Sequence, residues 1–286
     1  MKLQPAHPFL AAVASLVILA WPASGDEPDP QPVTAAALRQ KHVALRERLD
    51  TSAFGRPLVL DSSDAGGSLK GDVHAVIEQP FRKVQTLASA KDWCDLLVLP
   101  FNVQKCEATG DQLSIFIGRR PDSPPIDAKR LDLKFSLLAR TDDLLQVRLM
   151  APTGPAGTRD YRIIFEATPL DERRTLVHMG YGYGYGAMSS LVMQSYLATS
   201  GKDKVGFTSQ GVDEQGRPRL VGGMRGVMER NTMRYFLAIE AFLDAIDTPP
   251  DKRRAARAER WYAAVDKHPR QLREMTRVEY LALKAP

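Results

Sequence analysis

Residues 175–186, TLVHMGYGYGYG, alternate between two kinds of side chain along their whole length. One face carries Thr175, Val177, Met179, Tyr181, Tyr183 and Tyr185, whereas the other carries Leu176, His178 and four glycines. A period of two over a dozen residues indicates a β-strand. The glycines suit strong curvature or the close approach of another backbone. The tyrosine face shares its parity with Val177 and Met179, so it is predicted to point inward.

Other segments before this strand show the same alternation. They predict one early strand and then five in rapid succession, at residues 69–78, 101–108, 113–118, 131–138, 144–150 and 161–168. The sequence Thr109-Gly110-Asp111 is a hairpin turn signal between two of them. Most of the strands have one apolar face and one polar or glycine face. This pattern is typical of an antiparallel sheet with one solvent-exposed face.

Helical spacing follows the strands. Residues 224–246 form the longest predicted helix, with an apolar stripe that includes Met228, Tyr235 and Phe242. The remaining predicted helices are at residues 33–49, 81–90, 91–99, 188–199, 252–265 and 271–283, and residues 50–68 and 202–223 are predicted to be loops.

The composition is that of an ordinary globular protein, with 286 residues and a formal net charge of +5. From residue 251 onward there are ten Lys and Arg residues against five Asp and Glu residues, so the excess charge is local. This bias favours a solvated helical surface, and it leaves open a peripheral contact with an anionic membrane. Nucleic acid is not an expected partner.

The first residues have the features of a secretory signal. An apolar run at residues 9–21, too short to span a bilayer, is followed by small residues at Ala23 and Gly25. We predict a signal peptide at 1–25 and a disordered, proline-rich leader at 26–32; the alternative is an uncleaved anchor. The two cysteines, Cys94 and Cys106, suggest one disulfide in an exported protein, with two buried thiols as the alternative. Their spacing fits no zinc pattern, and no metal is predicted.

The order of these elements resembles that of the START-like lipid-transfer and polyketide-cyclase (helix-grip, SRPBCC) superfamily. Three short motifs also resemble it: Asp92-Trp93-Cys94-Asp95, Arg159-Asp160-Tyr161, and the helix ERNTMRYFLAIEAFL at 229–243. The resemblance covers about residues 69–246. It implies an α+β helix-grip fold, in which a curved antiparallel sheet of about seven strands wraps around a long C-terminal helix, with extra N- and C-terminal helices. The chain is also similar to uncharacterised exported bacterial members, which implies a periplasmic location.

The domain organisation follows from this resemblance. A START-like domain is expected at 69–247 with an insertion at 187–223. It is preceded by an N-terminal helix and loop at 33–68 and followed by a C-terminal helical extension at 248–286.

The superfamily fold implies a cavity between sheet and helix that holds a hydrophobic ligand, such as a lipid. The residues predicted to line it are Tyr161, Phe135, Phe165, Met179, Tyr181, Tyr183, Tyr185 and Met228. For each of them, packing in the core is the alternative role. We predict no cofactor and assign no catalytic residue. His74 and His178 have outward parity and are interpreted as surface histidines.

Three functions follow as hypotheses. The first is periplasmic binding or transfer of a hydrophobic ligand, such as a lipid, in the cavity between the sheet and the long helix. The second is a cyclase- or hydrolase-like enzyme, for which Asp160 and the tyrosines are the only candidates. The third is an envelope interaction module that docks a membrane or protein through the basic C-terminal helices.

Overall fold

The computed structural model describes residues 33–118, 125–199 and 201–285. The predicted signal peptide at 1–25 and the leader at 26–32 lie outside these residues. Within the described ranges, no helix combines the length and apolar character that crossing a membrane requires.

An eight-stranded antiparallel sheet forms the centre of the fold, in the order β1-β2-β8-β7-β6-β5-β4-β3. Its strands are β1 (Leu58–Ala65), β2 (Ser68–Ile77), β3 (Val103–Thr109), β4 (Gln112–Ile117), β5 (Lys129–Arg140), β6 (Leu145–Thr153), β7 (Arg159–Pro169) and β8 (Thr175–Gly184). The first and last strands of the predicted domain, β2 and β8, pair along their whole lengths. A separate two-stranded hairpin consists of β9 (Ser209–Val212) and β10 (Pro218–Leu220).

Eight helices accompany the strands in the described part of the chain. They are α1 (Ala35–Asp50), α2 (Phe81–Val84), α3 (Ala90–Leu97), α4 (Ala187–Ala198), α5 (Gly223–Asp244), α6 (Pro250–Asp266), α7 (Pro269–Leu272) and α8 (Arg277–Lys284). Helix α5 packs against β1, β2, β8 and α3. The α+β helix-grip architecture expected from the sequence is therefore confirmed.

The sequence prediction missed strand β1, because residues 50–68 were expected to be a loop and the sheet to have about seven strands. It also missed the β9–β10 hairpin, which lies within residues 202–223, another predicted loop. The first three residues of β1, Leu58 to Leu60, are buried, but most of the rest of the strand is exposed. A strand of this kind lacks a sustained alternation. It is identified by its pairing with β2 through a turn at Gly66 and Gly67, both of which have positive φ.

The inner face of the sheet, defined as the face that contacts α5, holds the main core. Helix α5 approaches most closely at Gly71 of β2. A Cβ atom there would lie 2.2 Å from Thr232 Oγ1 and 3.3 Å from Met228 Cγ. The glycine therefore lets the helix backbone come close to the strand that pairs with the tyrosine strand β8.

Helix α1 covers the opposite, outer face of the sheet. Ala35 and Leu38 pack with Leu176 of β8, and Leu45 and Leu49 pack with Val59 of β1. The N-terminus of α1 is capped by Thr34, whose side chain accepts a hydrogen bond from Ala37 N at 3.1 Å.

The C-terminal helices are integrated into the same core. Trp261 of α6 and Tyr280 of α8 are fully buried against Phe101, with ring centroids 4.8 and 5.3 Å from it. The single helix predicted at 271–283 is wrong, since α7 ends at Leu272 and α8 begins after Thr276. A capping box between Thr276 and Glu279 starts a new helix there.

The predicted disulfide is confirmed. Cys94 of α3 and Cys106 of β3 are bonded, with their Cα atoms 5.4 Å apart. The bond ties α3 to an edge strand of the sheet. Closing a loop of this length stabilises the fold by roughly 3 kcal/mol through the unfolded chain.

Candidate functional site

Four tyrosine rings converge between the sheet and α5. Tyr161 of β7 stacks on Tyr183 of β8 with ring centroids 5.1 Å apart, and Tyr181 contacts Tyr183 at 5.9 Å. Tyr235 of α5 closes the group, with its ring 5.1 Å from that of Tyr181. We call these four residues the tyrosine cluster. The alternation in β8 puts two of the rings on the inner face, and β7 and α5 supply the other two.

The hydroxyl groups of the cluster differ in their partners. The Tyr161 hydroxyl lies 2.9 Å from Thr158 Oγ1, and the hydroxyls of Tyr181 and Tyr235 interact with each other. Within the described ranges, the Tyr183 hydroxyl has no hydrogen-bond partner, although the residue is only 7% exposed. Its oxygen is not one of the fully buried polar atoms without a partner, so it remains accessible although the ring is buried. It leaves one donor in the cluster available to a ligand.

Burial raises the pKa of all four phenols. It raises the pKa of Tyr235 to about 12, and it raises the pKa of Tyr161, Tyr181 and Tyr183 above the ordinary value as well. The hydroxyls therefore stay protonated at physiological pH. They can donate hydrogen bonds to a ligand, but they are poor general bases.

The other predicted lining residues lie in two environments. Phe165, Met179 and Met228 are fully buried, and Phe165 packs edge-on against Trp93 at 5.8 Å. Phe135 is also buried, at 8% exposure. These four residues form part of the packed core. Tyr185, in contrast, is half-buried beyond the end of β8, and its hydroxyl donates to Asp64 Oδ1 at 2.6 Å.

The tyrosine cluster is close to the end of the sheet where β8 leads into α4. A short 3₁₀ turn, Pro155–Gly157, lies at the same end between β6 and β7. Ser189 of α4 donates to Ala156 O of this turn at 2.8 Å. Helix α4 contains no charged residue, and its Leu191 and Val192 side chains are exposed. The part of this surface that α4 forms is therefore uncharged.

A second group of polar residues lies on the outer face of the sheet. His178 Nε2 is 2.9 Å from Asp72 Oδ1, and its Nδ1 is 2.8 Å from Glu166 Oε2. Glu166 also accepts a hydrogen bond from Gln146 at 3.0 Å. The interpretation of His74 and His178 as surface histidines is wrong. His74 is 7% exposed and His178 is largely covered, because α1 packs over this face.

The charges in this outer-face group are strongly coupled. Burial lowers the pKa of His178, but the hydrogen bonds and charges of Asp72 and Glu166 outweigh burial and raise that pKa to about 9. Burial and the nearby His178 charge lower the pKa of His74 to about 3. His178 is thus an imidazolium held between two carboxylates. With no nucleophilic hydroxyl among its hydrogen-bond partners, the arrangement serves as a buried ion network.

The polar residues near the start of α5 have structural partners. Glu229 is fully buried and accepts hydrogen bonds from Ser62 and from the backbone of Phe207 and Thr208. Arg230 and Arg234 both bind Glu274, which follows α7. These contacts hold the insertion and the C-terminal extension on α5.

Strands β2 and β5–β8 offer no acid–base pair on the inner face that would support the enzyme hypothesis. Among the described residues, the inward-facing side chains of β2 and β5–β8 include no carboxylate or imidazole. Arg159 and Asp160 form an ion pair at 3.3 Å, but both side chains are more than half exposed. The candidate Asp160 therefore lies outside the tyrosine cluster.

Sequence reasoning missed the role of two residues, one in the cluster and one beside it. Tyr235 is a member of the apolar stripe of α5, and its hydroxyl was the signal that could have distinguished it from its neighbours. Thr158 follows a positive-φ glycine, Gly157, in a loop, and no local pattern indicates that it reaches the Tyr161 hydroxyl.

Comparison with known proteins gives fold-level similarity alone. No family model and no curated protein matches the chain significantly. Similar solved structures include a norcoclaurine synthase mutant from Thalictrum flavum, with 14% identity over 50% of this chain and 89% of that one, at a TM-score of 0.34. The Zhui aromatase/cyclase from Streptomyces sp. R1128 has 12% identity over 62% and 92% of the two chains, at 0.35.

A START superfamily protein from Mycobacterium smegmatis has 12% identity over 46% of this chain and 92% of that one, at a TM-score of 0.31. The scores are too low to carry an argument about ligand or activity. The chain's own topology, an antiparallel sheet against a long C-terminal helix, defines the fold class.

Proposed function

We propose that this protein binds a hydrophobic ligand with a polar head at the tyrosine cluster. The observation that carries the proposal is the Tyr183 hydroxyl, which has no hydrogen-bond partner among the described residues and stays accessible although its ring is buried. A ligand whose head accepts a hydrogen bond could use this donor while its apolar part packs on the rings.

The surroundings of Tyr183 fit an amphiphilic ligand. The rings of Tyr161 and Tyr181 supply apolar surface on either side, and the neighbouring α4 offers an uncharged approach. Because the phenols stay protonated, they select an acceptor such as an ester, a carbonyl or a carboxylate. Aromatic walls with a few placed donors are typical of small-molecule sites.

A lipid carried in the periplasm is the specific form of this proposal. The predicted signal peptide supports export, and the disulfide is compatible with an oxidising compartment. An enzymatic role has no comparable support, since the described inward-facing side chains of β2 and β5–β8 include no carboxylate or imidazole.

The first test is recovery of a ligand. Protein purified from its native host compartment would be extracted and analysed by native mass spectrometry, and we expect a bound lipid-sized molecule. The second test is binding of a fluorescent fatty acid methyl ester. Protein without co-purifying ligand and without saturable ester binding would refute the proposal.

A conservative variant tests the assigned donor. Tyr183→Phe removes the unused hydroxyl, and we expect ester affinity to fall about tenfold, the loss typical of one buried hydrogen bond. The matched control is Tyr262→Phe, whose hydroxyl bonds to Met275 O in the C-terminal extension. Equal affinities for the two variants would assign the ligand to a different place.

A further inference from the structure

A cleft lies on another side of the molecule, between α3, β3, α6 and the end of α8. Its volume is about 370 Å³. The disulfide Cys94–Cys106 is part of its wall, together with apolar groups such as Val98 and Pro250. The cleft is separate from the tyrosine cluster, since the two share no residue.

The charge of the cleft is strongly unbalanced. Six cationic side chains line it against one carboxylate, that of Asp95; the cations are Lys91, Lys105, Arg253, Arg254, Arg257 and Lys284. Asp95 is already shared, because Arg257 binds it at 2.9 Å and Lys91 at 3.4 Å. Lys105 has its own partner in Glu107.

Three of the cations have no carboxylate partner in the described part of the chain. Arg253 Nε donates to Thr248 O at 3.2 Å, and Arg254 donates to Ala285 O at 3.4 Å. Lys284 Nζ donates to Pro100 O at 2.9 Å and to Val103 O at 2.6 Å. Backbone carbonyls orient these groups, but they do not neutralise them.

Two of the cleft cations are buried as well. Arg257 is 6% exposed, its guanidinium lies 3.9 Å above the Phe242 ring, and its Nε has no hydrogen-bond partner. Lys284 is 7% exposed. Burial and the nearby Arg254 lower the pKa of Lys284 to about 7, which is the effect of a cationic site without a counter-charge.

We infer that this cleft is a binding site for a phosphate-type anion. Arginine forks match the geometry of phosphate oxygens, and a buried, partly unsatisfied guanidinium gains most from such a ligand. The volume exceeds what inorganic phosphate needs, so the anion is expected to be a phosphate ester. The phosphate group belongs either to a soluble small molecule or to a lipid headgroup.

The test titrates the full chain with inorganic phosphate and with glycerol phosphate by calorimetry. We expect saturable binding of one anion per chain. Arg254→Gln, at an exposed position, should weaken it about tenfold, the loss of one charge-assisted hydrogen bond. Arg270→Gln is the control, because it removes the same charge from an exposed position outside the cleft.

A second readout is independent of the variants. Sulfate does not titrate near neutral pH, so any proton taken up on sulfate binding at pH 8 comes from the protein. A bound anion favours the charged form of Lys284, and we therefore expect net proton uptake, measured from the dependence of the heat on the buffer. The inference would be overturned if neither inorganic phosphate nor glycerol phosphate bound saturably. It would also be overturned if Arg254→Gln and Arg270→Gln weakened binding equally.

Vesicles distinguish the source of the phosphate group. Phosphatidylglycerol vesicles that bind the protein and are displaced by glycerol phosphate would assign the site to a lipid headgroup. Binding of glycerol phosphate with no association to such vesicles would assign it to a soluble phosphate ester. Vesicle binding that neither glycerol phosphate nor Arg254→Gln weakens would contradict a site in this cleft.

Discussion

His74 and His178 lie directly opposite each other on β2 and β8, and their rings stack with centroids 4.3 Å apart. The two imidazoles nevertheless differ in their protonation state. Asp72 and Glu166 keep His178 protonated, whereas burial and the His178 charge keep His74 neutral. The pKa values of the two stacked histidines thus differ by about six pH units, because the rings have different neighbours on one sheet face.

The charged partner predicts an alkaline loss of stability. The pKa of His178 is raised to about 9 in the folded protein, so its stabilising contribution is complete below the unfolded pKa of about 6.5 and is lost as the pH rises to 9. We expect the free energy of unfolding to fall on the order of 3 kcal/mol across this window. Urea denaturation from pH 6.5 to 9.5 measures it, and a flat profile for wild type would contradict the assignment. His178→Gln should remove the slope.

The neutral partner predicts an acid loss. With its pKa lowered to about 3, His74 must stay unprotonated in the folded state, so stability falls as the pH drops below about 6.5. His74→Phe keeps a ring over His178 and should flatten the part of the profile between pH 6 and 4. The same urea series on both proteins tests this, with the loss at pH above 7 expected to persist in the variant.

Gly71 predicts a steric effect on the packing of α5. Gly71→Ala places a Cβ against the buried Thr232, and we expect destabilisation of about 1–3 kcal/mol, typical of overpacking. Gly186→Ala is a suitable control, because the nearest atom to its Cβ would be Arg159 Nη1 at 3.8 Å. Thermal unfolding of the two variants compares them, and a control that loses as much stability would contradict the steric explanation.

Glu274 predicts a cost from breaking a buried ion network. Three cations, Lys204, Arg230 and Arg234, bind this carboxylate, and their charges lower its pKa although burial raises it. Glu274→Gln should cost about 3–5 kcal/mol in urea denaturation near neutral pH. The exposed pair of Glu259 and Arg277 provides the comparison, since Glu259→Gln should cost no more than about 1 kcal/mol. Similar losses in both variants would be inconsistent with a buried network.

The disulfide predicts a redox-dependent stability. Replacing both Cys94 and Cys106 by Ala should lower the free energy of unfolding by roughly 3 kcal/mol. Reducing agent should destabilise the wild type by a comparable amount and leave the double variant unchanged. The cleft wall would loosen with it, so we expect weaker phosphate binding in the variant. Insensitivity of the wild type to reduction would show that the bond is absent in solution.

Much of the fold could be predicted because its signals are local. The alternation of residues 175–186 identifies β8 and the direction of its rings, and the stripe of α5 identifies the gripping helix. Strand β1 could not be predicted, since it has only three consecutive buried residues and depends on β2 for its pairing. The break between α7 and α8 depends on a capping box, which is a short pattern inside an otherwise helical stretch.

The sites were harder to predict for the same reason. Parity places His178 outward, but only the register of three strands brings Asp72 and Glu166 to its two nitrogens. The missing information is long-range: an outward residue is exposed unless another element covers it, and α1 does so here. The cationic cleft likewise combines α3 and β3 with α6, which lies more than a hundred residues further along the chain.

The burial of Trp261 and Tyr280 against Phe101 has a practical consequence for fragments of this protein. A fragment limited to residues 69–246, the range of the resemblance seen in the sequence, would lack both rings and leave Phe101 facing water. Such a truncated chain is expected to aggregate, because it presents an apolar patch that the intact protein covers. Removal of residues 251–286, as a test of docking through the C-terminal helices, would therefore report misfolding as readily as a lost docking surface.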